Sequence, residues 1–218
     1  MKSDDKSIGQ KIWIGSAVAA LVAAFGIFML MLHLEKQTLS GFEKEAVYVA
    51  EKKIPKGLQI TEKNYQEYLT LTELDKEQVP PTAIRFWEQV ADHAVKEDID
   101  TGVFVSTGMF ESYQEITAKM EEPVIAGFKA DDLYQVAGGV LRAGDRIHIY
   151  TVSKDGRAGL VWESVYVEQV FDGAGNAIAV DNNTSPAQRV NVYLDAADVE
   201  YFYTELARGA LRVVKVCD

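Results

Sequence analysis

The feature of this sequence that most constrains its fold is an uninterrupted apolar stretch at residues 12–32, IWIGSAVAALVAAFGIFMLML, which contains no charged residue, Pro, Asn or Gln. At ~1.5 Å of rise per residue, a helix of this length spans about 31 Å, close to the roughly 30 Å hydrocarbon core of a bilayer. A helix buried in a soluble domain rarely stays apolar on every face for so long. The stretch therefore predicts a transmembrane anchor at residues 12–34.

A cleaved signal peptide is the alternative interpretation of the same stretch. The apolar region of such a peptide is about 7–15 residues long and ends at a small-x-small cleavage site. The best exit here, Leu39-Ser40-Gly41, has a bulky residue where a small one is needed. The sequence therefore favours an uncleaved anchor, followed by a polar linker at residues 35–45.

The lysines on either side of the apolar stretch predict its orientation. Three lysines precede it, whereas the first fifteen residues after His33 contain only Lys36 and Lys44. Positive residues tend to stay on the cytoplasmic side of a membrane. We therefore predict a single-pass protein of the cell membrane, with a cytoplasmic tail at residues 1–11 and the C-terminal body outside the cytoplasm.

Small residues recur at every fourth position of the apolar stretch, at Gly15, Ala19 and Ala23. This spacing lets two helix backbones approach closely, as small-xxx-small packing requires. These residues form a candidate membrane packing face, although alanine is also a common filler in membrane spans. A homo-oligomer is left open.

The charge of the chain is unevenly distributed. The net charge of the whole chain is −11, and residues 1–34 carry three lysines against two aspartates, so the remaining residues carry −12. An acidic body repels nucleic acid and anionic lipid headgroups. We therefore exclude nucleic-acid binding and expect an acidic, soluble body.

The residue types that carry catalysis or bind metals do not cluster in the sequence. The single cysteine, Cys217, excludes an intrachain disulfide and any metal site built from cysteines. The three histidines, His33, His93 and His148, share no local metal-ligand spacing, and no Gly-x-Ser-x-Gly or phosphate-loop motif occurs. We predict no catalytic residues, no cofactor and no metal, and therefore not an enzyme.

Two short segments follow the same pattern, I-x-x-G-apolar-x-apolar, at residues 54–60 and 99–105. The equivalent isoleucines are 45 residues apart, which indicates an internal pseudo-repeat within residues 46–112. Each pattern interrupts an apolar strand with a glycine, the residue that adopts positive φ at least cost. The pattern therefore predicts tight turns at Gly57 and Gly102.

The second half of the sequence, residues 123–218, follows a polar segment at residues 113–122 that we interpret as a linker. Alternating apolar residues and turn signals predict strands at 123–128, 146–152, 160–171 and 189–194, with a turn at Gly144 feeding the second of them. The end of the chain predicts a helix at 196–208, capped by Asp195, and a closing strand at 210–216. The fold class is therefore mainly β (α+β), ending strand–helix–strand.

Several segments together resemble a known family. After the apolar stretch, residues 46–112 resemble the SAF domain, a small β-clip fold. The segments that carry this resemblance are AVYVAEKKIPKGLQIT, VPPTAI and VADHAVKEDIDTGVFVSTGMF. GGVLRAGDRIHIYTV and RVNVYLDAADVEYFYTELARGALRVV resemble the C-terminal part of Flp (Tad) pilus assembly proteins of the CpaB/RcpC type. Two positions depart from that pattern, since Ala143 replaces a proline and His148 replaces an aspartate.

What the resemblance implies is a membrane-anchored, extracytoplasmic and non-enzymatic scaffold for Flp pilus biogenesis or a related secretion machine. Its expected partners are membrane lipid, pilus platform proteins, pilin and, where an outer membrane exists, a secretin. One alternative is a SAF module that binds cell-wall carbohydrate on an aromatic platform, with Trp87 or Trp162 as candidates. Another is a flagellar P-ring-type chaperone, which normally leaves its signal behind.

Overall fold

The computed structural model describes residues 20–36, 43–209 and 211–217. It divides into two compact units. One unit holds the described residues up to Glu45 together with Glu73–Val79, and the other holds Ala46–Thr72 together with the described residues from Pro80 onward. The boundaries predicted between tail, anchor, linkers and domains remain predictions.

The first unit contains a helix over residues 20–36, which we call α1 and which is exposed along its length. Ala23 lies on this helix, whereas Gly15, Ala19 and the rest of the predicted anchor before residue 20 lie outside the described residues. Within the described part of the chain, no helix combines the length and the apolar character that crossing a membrane requires. In the same unit, Lys76 pairs with Glu43 through both its backbone N–H and its ammonium, each 2.8 Å from a Glu43 oxygen.

Strands dominate the remaining described residues, so the predicted mainly-β class is confirmed. The strands are β1 (Lys44–Ala50), β2 (Leu69–Asp75), β3 (Ala94–Val95), β4 (Phe110–Glu111), β5 (Pro123–Lys129), β6 (Arg146–Val152), β7 (Ala158–Phe171), β8 (Arg189–Asp195) and β9 (Leu211–Lys215). The further α-helices are α2 (Tyr65–Tyr68), α3 (Tyr113–Ile116) and α4 (Val199–Ala207).

The strands form three sheets. Strands β1 and β2 pair with each other, and β3 pairs antiparallel with β4. The third sheet is antiparallel, with the order β5-β8-β7-β6-β9. Its longest strand, β7, pairs with β6 over its first part and with β8 over its last part, and Ser164 near its middle has a φ of 55°.

The second unit buries two separate hydrophobic clusters. The clip cluster lies between residues 48 and 110 and contains Tyr48, Ala50, Ile54, Ile60, Leu69, Ile84, Val90, Val95, Ile99, Val105 and Phe110. The sheet cluster lies between residues 126 and 213, where one face of the five-stranded sheet packs against Phe202 of α4. The buried residues alternate along β6 and β8, as expected where one face of a sheet is covered. Strand β7 departs from strict alternation, and its pairing has register shifts.

The closing helix differs in detail from the predicted helix at 196–208. The first turn, Ala196–Asp198, is a 3₁₀ helix in which the Asp195 carboxylate accepts from the N–H of Ala197 at 3.1 Å, and α4 begins only at Val199. Val199, Phe202, Tyr203 and Leu206 are spaced as one face of a helix, which predicts that they are buried together. Phe202 is fully buried, but Tyr203 is 43% exposed. The Tyr203 hydroxyl lies 3.3 Å from both the N–H and the carbonyl oxygen of Gly127 on edge strand β5. It therefore covers backbone groups that an edge strand leaves unpaired.

Because threonine often caps helices, Thr61 predicts a short helix from Thr61 through Tyr68, and the observed helix is shorter. The α-helix begins at Tyr65, and Thr61 does not act as its N-cap. Instead, the N–H of Thr61 donates to the side-chain oxygen of Asn64 at 2.7 Å. Because asparagine competes well for nearby backbone donors, residues 61–64 form turns rather than a first helical turn.

Candidate functional site

The two I-x-x-G turns pair directly with each other. The N–H of Ile54 donates to the carbonyl of Ile99 at 2.8 Å, and the N–H of Ile99 donates back to the carbonyl of Ile54 at 2.9 Å. Both side chains are buried in the clip cluster. The equivalent residues of the two copies therefore meet at a pseudo-two-fold axis.

The backbone contacts on either side of this axis repeat with the same 45-residue offset. The N–H of Gly57 donates to Val95 at 2.8 Å, and the N–H of Gly102 donates to Ala50, 45 residues before Val95, also at 2.8 Å. Two further pairs obey the offset, namely the bridges Val49↔Phe104 and Gln59↔Ala94. Each copy thus completes the other, and the predicted pseudo-repeat is confirmed.

Opposite charges also occupy equivalent positions of the two copies. The Lys53 ammonium lies 2.6 Å from the carboxylate of Asp98, and the N–H of Lys56 donates to the same carboxylate at 2.9 Å. The hydrogen bond from Lys53, and then that from Lys56, hold the pKa of Asp98 below its ordinary value of 3.8. Position 53 of the first copy corresponds to position 98 of the second, so this pair joins the copies beside their axis.

We expect this pair to make the stability of the repeat depend on pH in acid. Because the pKa of Asp98 is lower in the folded chain than at its ordinary value, its contribution is complete above pH 3.8 and is lost as the pH falls further. Asp98→Asn should therefore lower the urea midpoint at neutral pH, and this deficit should shrink as the pH falls below that value. Urea unfolding from neutral pH to strong acid measures the difference. A deficit that is the same at every pH would contradict the assignment.

The three turn glycines predicted from sequence all have positive φ, at +77° for Gly57, +80° for Gly102 and +86° for Gly144. The structure brings Gly57 and Gly144 together, with backbones so close that a Cβ on Gly57 would lie 2.0 Å from the carbonyl oxygen of Ala143. A Cβ on Gly102 would meet nothing within 4 Å. The two equivalent turns therefore differ in their surroundings. The Gly57 turn packs on the Ala143–Gly144 backbone, whereas the Gly102 turn faces open space.

The turn that receives Gly57 is held by a buried carboxylate. Asp145 is 4% exposed, and its side chain accepts from the N–H of Arg142 at 2.8 Å and from the Lys215 ammonium at 2.8 Å. Its backbone N–H and carbonyl are also used, the first donating to Arg142 and the second accepting from Val167. Asp145 therefore ties the turn before β6 to both β7 and β9.

The guanidinium of Arg142 organises the loop between β7 and β8. It donates to the carbonyls of Asn182 at 2.6 Å and Ser185 at 2.9 Å, and to those of Gly139 and Leu141 on its own side of the turn. Residues 181–187, DNNTSPA, predict only a polar loop. No short-range pattern indicates that Arg142 holds it, because Asn182 and Ser185 lie 40 and 43 residues from Arg142 along the chain.

We expect Arg142→Lys to loosen this loop selectively. A lysine ammonium cannot reproduce the planar, forked geometry that serves several carbonyls at once. Losing two of these bonds should destabilise the loop by about 2 kcal/mol and speed amide exchange there by roughly 30-fold. Hydrogen exchange followed by mass spectrometry measures this at residues 179–187. Arg157→Lys, at an exposed hairpin position, is the control and should leave that segment unchanged.

The connection between the repeat and the five-stranded sheet also carries an ion pair and three tyrosines. Arg146 on β6 lies 2.9 Å from the Glu111 carboxylate on β4, and its guanidinium lies 5.3 Å from the centre of the Tyr166 ring. The Tyr193 ring is 5.6 Å from Tyr113 and 6.1 Å from Tyr166. Burial, and then the Glu111 charge, raise the pKa of Tyr166; burial and the Glu168 charge raise that of Tyr193. Both shifts favour the neutral phenol over the phenolate.

These tyrosines line a small cavity of about 110 Å³. Its lining combines residues of the repeat, of α3 and of the sheet, which are Gly57, Gln59, Asp92, Ala94, Tyr113, Ile116, Tyr166, Glu168 and Tyr193. Asp92 has a φ of 60°, and its carbonyl accepts from the Gln59 side chain at 2.9 Å. Of the residues singled out from sequence, only Gly57 belongs to this cavity. The others come together because the repeat packs on the sheet, which local sequence patterns do not record.

The aromatic residues considered as a carbohydrate platform occupy different environments. Trp162 is 8% exposed and packs against Phe202 in the sheet cluster, with ring centres 5.7 Å apart. Trp87 is half-buried at the edge of the clip cluster and stacks on Tyr65, with ring centres 4.5 Å apart. Phe86, beside it, is 67% exposed. The structure therefore leaves Phe86 and the rim of Trp87 accessible and places Trp162 in the core.

The histidines lie apart, in structural positions. The Nδ1 atom of His93 lies 2.7 Å from the carbonyl oxygen of Ala91, and Nδ1 of His148 accepts from the N–H of Ser164 at 3.0 Å. Over the described ranges, no three His, Cys, Asp or Glu side chains are grouped so that they could hold a metal ion.

Comparison with known proteins finds limited similarity. No protein-family model matches the chain. No curated protein matches it either. Among solved structures, Salmonella FlgA in a closed form has 15% identity and a TM-score of 0.28, with 62% of this chain and 57% of that chain covered. Salmonella FlgA in an open form has 14% identity and a TM-score of 0.29, with 76% and 68% covered. Similarity at this level does not assign the chain to a family.

Proposed function

We propose that this protein is a non-catalytic, extracytoplasmic assembly scaffold of the SAF type, anchored to the cell membrane and acting in a Flp (Tad-type) pilus or a related secretion machine. The observation that carries the proposal is the reciprocal pairing of the two I-x-x-G turns about the Ile54–Ile99 contact. The resemblance to the β-clip fold implies that residues 46–112 consist of two half-modules that complete each other in this way. The resemblance of the C-terminal segment extends the proposal to the pilus machine.

The packing of the repeat on the sheet suits a protein that holds its partners in place rather than one that catalyses a reaction. The repeat packs backbone to backbone on the 143–144 turn, and the ion pair between Glu111 and Arg146 joins the same two parts. Packing of this kind resists deformation, since protein interiors are dense and have little free volume. A scaffold of this type would keep bound partners in fixed positions near the membrane.

The partners in this proposal are membrane lipid, pilus platform proteins, pilin and, where the cell has an outer membrane, a secretin. The apolar stretch at 12–34 would supply the anchor, and the acidic body would act outside the cytoplasm. The acidic charge of the body favours basic protein surfaces as partners, because opposite potentials steer association.

Crosslinking of the full-length protein in its own cell tests the proposal. The protein is crosslinked, solubilised in detergent and captured, and its neighbours are quantified by mass spectrometry, with a variant lacking residues 12–34 as the control. We expect platform proteins and pilin to be enriched with the full-length chain and lost with the control. Enrichment of wall glycan or unrelated enzymes, with no pilus component, would contradict the pilus role.

A second candidate function, binding of cell-wall carbohydrate, is favoured by one observation. Phe86 is 67% exposed next to the Trp87–Tyr65 stack, and exposed aromatic faces can bind sugar rings. Titration with cell-wall fragments, followed by tryptophan fluorescence, tests it. A saturable change that Phe86→Ala and Trp87→Phe abolish would support carbohydrate binding; a flat response would remove this candidate.

A further inference from the structure

The tyrosine-lined cavity has a chemical character that the proposed scaffold role does not use. Three of its lining residues are tyrosines, and the Tyr193 ring is close to the rings of both others, with centres 5.6 Å and 6.1 Å apart. Aromatic faces carry negative potential and attract cations within about 6 Å of the ring centre. The cavity is therefore built from groups that favour a positive charge.

Two acidic residues, Asp92 and Glu168, also line the cavity, whereas no described lysine or arginine does. Glu168 accepts from the Asn191 side-chain amide at 3.2 Å, which orients one of its oxygens. The neighbouring Arg146 already shows that a cation settles on this cluster, because its guanidinium lies over Tyr166 while it pairs with Glu111. A second, incoming cation would meet the acidic residues and the rings of Tyr113 and Tyr193, because the Arg146 guanidinium beside Tyr166 is already paired with Glu111.

The size of the cavity limits what can enter. A volume of about 110 Å³ holds a few water molecules or the end of one side chain. This fits the ammonium end of a lysine side chain with its last methylenes. Gln59, Asp92 and Tyr113 of the lining are exposed, so the cavity is accessible from solvent beside polar groups.

We propose that this cavity is a binding site for the ammonium group of a lysine side chain presented by a partner polypeptide. The tyrosine rings receive the ammonium, Glu168 and Asp92 balance its charge, and the aliphatic stem packs beside Ile116. The site depends on the geometry and charge of the cavity and does not require the pilus role.

Fluorine NMR on the full-length protein in detergent tests the proposal, with 3-fluorotyrosine at the ten tyrosines of the chain. Tyr→Phe variants assign the signals. The probe is N-acetyl-lysine methylamide, and its neutral counterpart is N-acetyl-norleucine methylamide. We expect saturable shifts of the Tyr113, Tyr166 and Tyr193 signals with the lysine probe alone. The signal of Tyr134, which is 86% exposed and outside the cavity, should stay unchanged.

A matched pair of charge variants separates a specific site from general attraction to an acidic surface. Glu168→Gln keeps an acceptor for Asn191 and should weaken binding of the lysine probe by roughly fivefold or more. Glu163→Gln, on an exposed position of the same strand, should leave binding unchanged. Equal weakening by both variants, equal shifts with the norleucine probe, or no saturable shift at the three tyrosines would each overturn the proposal.

Discussion

Replacing Gly57 by alanine should destabilise the second unit by about 3 kcal/mol or more, because the new methyl group meets backbone that cannot move aside. The Cβ would lie 2.0 Å from the carbonyl oxygen of Ala143 and 3.0 Å from the Cα of Gly144, and the residue has a φ of +77°. Urea unfolding of the full-length protein in detergent, followed by circular dichroism, measures the loss.

Gly102→Ala provides an internal control for this prediction. Gly102 occupies the equivalent position of the second copy with almost the same φ, +80°, but a Cβ there has open space around it. Its substitution should cost only the strain of positive φ, about 1 kcal/mol, and the larger Gly102→Val should cost that or more. Equal losses at Gly57 and Gly102 would show that the contact with Gly144 contributes nothing.

Removal of the Asp145 carboxylate is the second change with a large expected effect. Asp145→Ala should destabilise the second unit by about 3 kcal/mol, because the buried carboxylate is lost as the acceptor for the N–H of Arg142 and as the partner of the Lys215 ammonium. The turn that meets Gly57 should loosen at the same time. Urea unfolding measures the stability, and amide exchange at residues 142–146 measures the turn.

Asp155→Ala is the matched control for Asp145. Asp155 also sits in a turn before a strand and accepts a hydrogen bond from Ser153, yet it lies exposed at the tip of the β6–β7 hairpin. Losing an exposed acceptor costs little because water replaces it. If Asp145→Ala proved as mild as Asp155→Ala, burial of the carboxylate would not be what stabilises this turn.

Local patterns in the sequence were sufficient for much of the fold. Alternating apolar residues placed β5, β6, β7 and β8 within a few residues of their observed bounds, because one face of each strand is buried. The capping aspartate located the start of the closing helix. The same reasoning overextended the helix at residues 61–68, since it gave no weight to the competing Asn64 side chain.

The sequence by itself also determined the repeat, since an offset of 45 residues between two I-x-x-G patterns needs no structure to be seen. Only the tertiary structure decided what each copy of the repeat contacts. Gly57 packs on Gly144 while Gly102 remains open, and the tyrosine cavity forms where the repeat meets the sheet. The physical reason is that turns and strands depend on neighbours in sequence, whereas a close backbone contact and a cavity depend on residues far apart in the chain, whose positions are set only when the two hydrophobic clusters have packed.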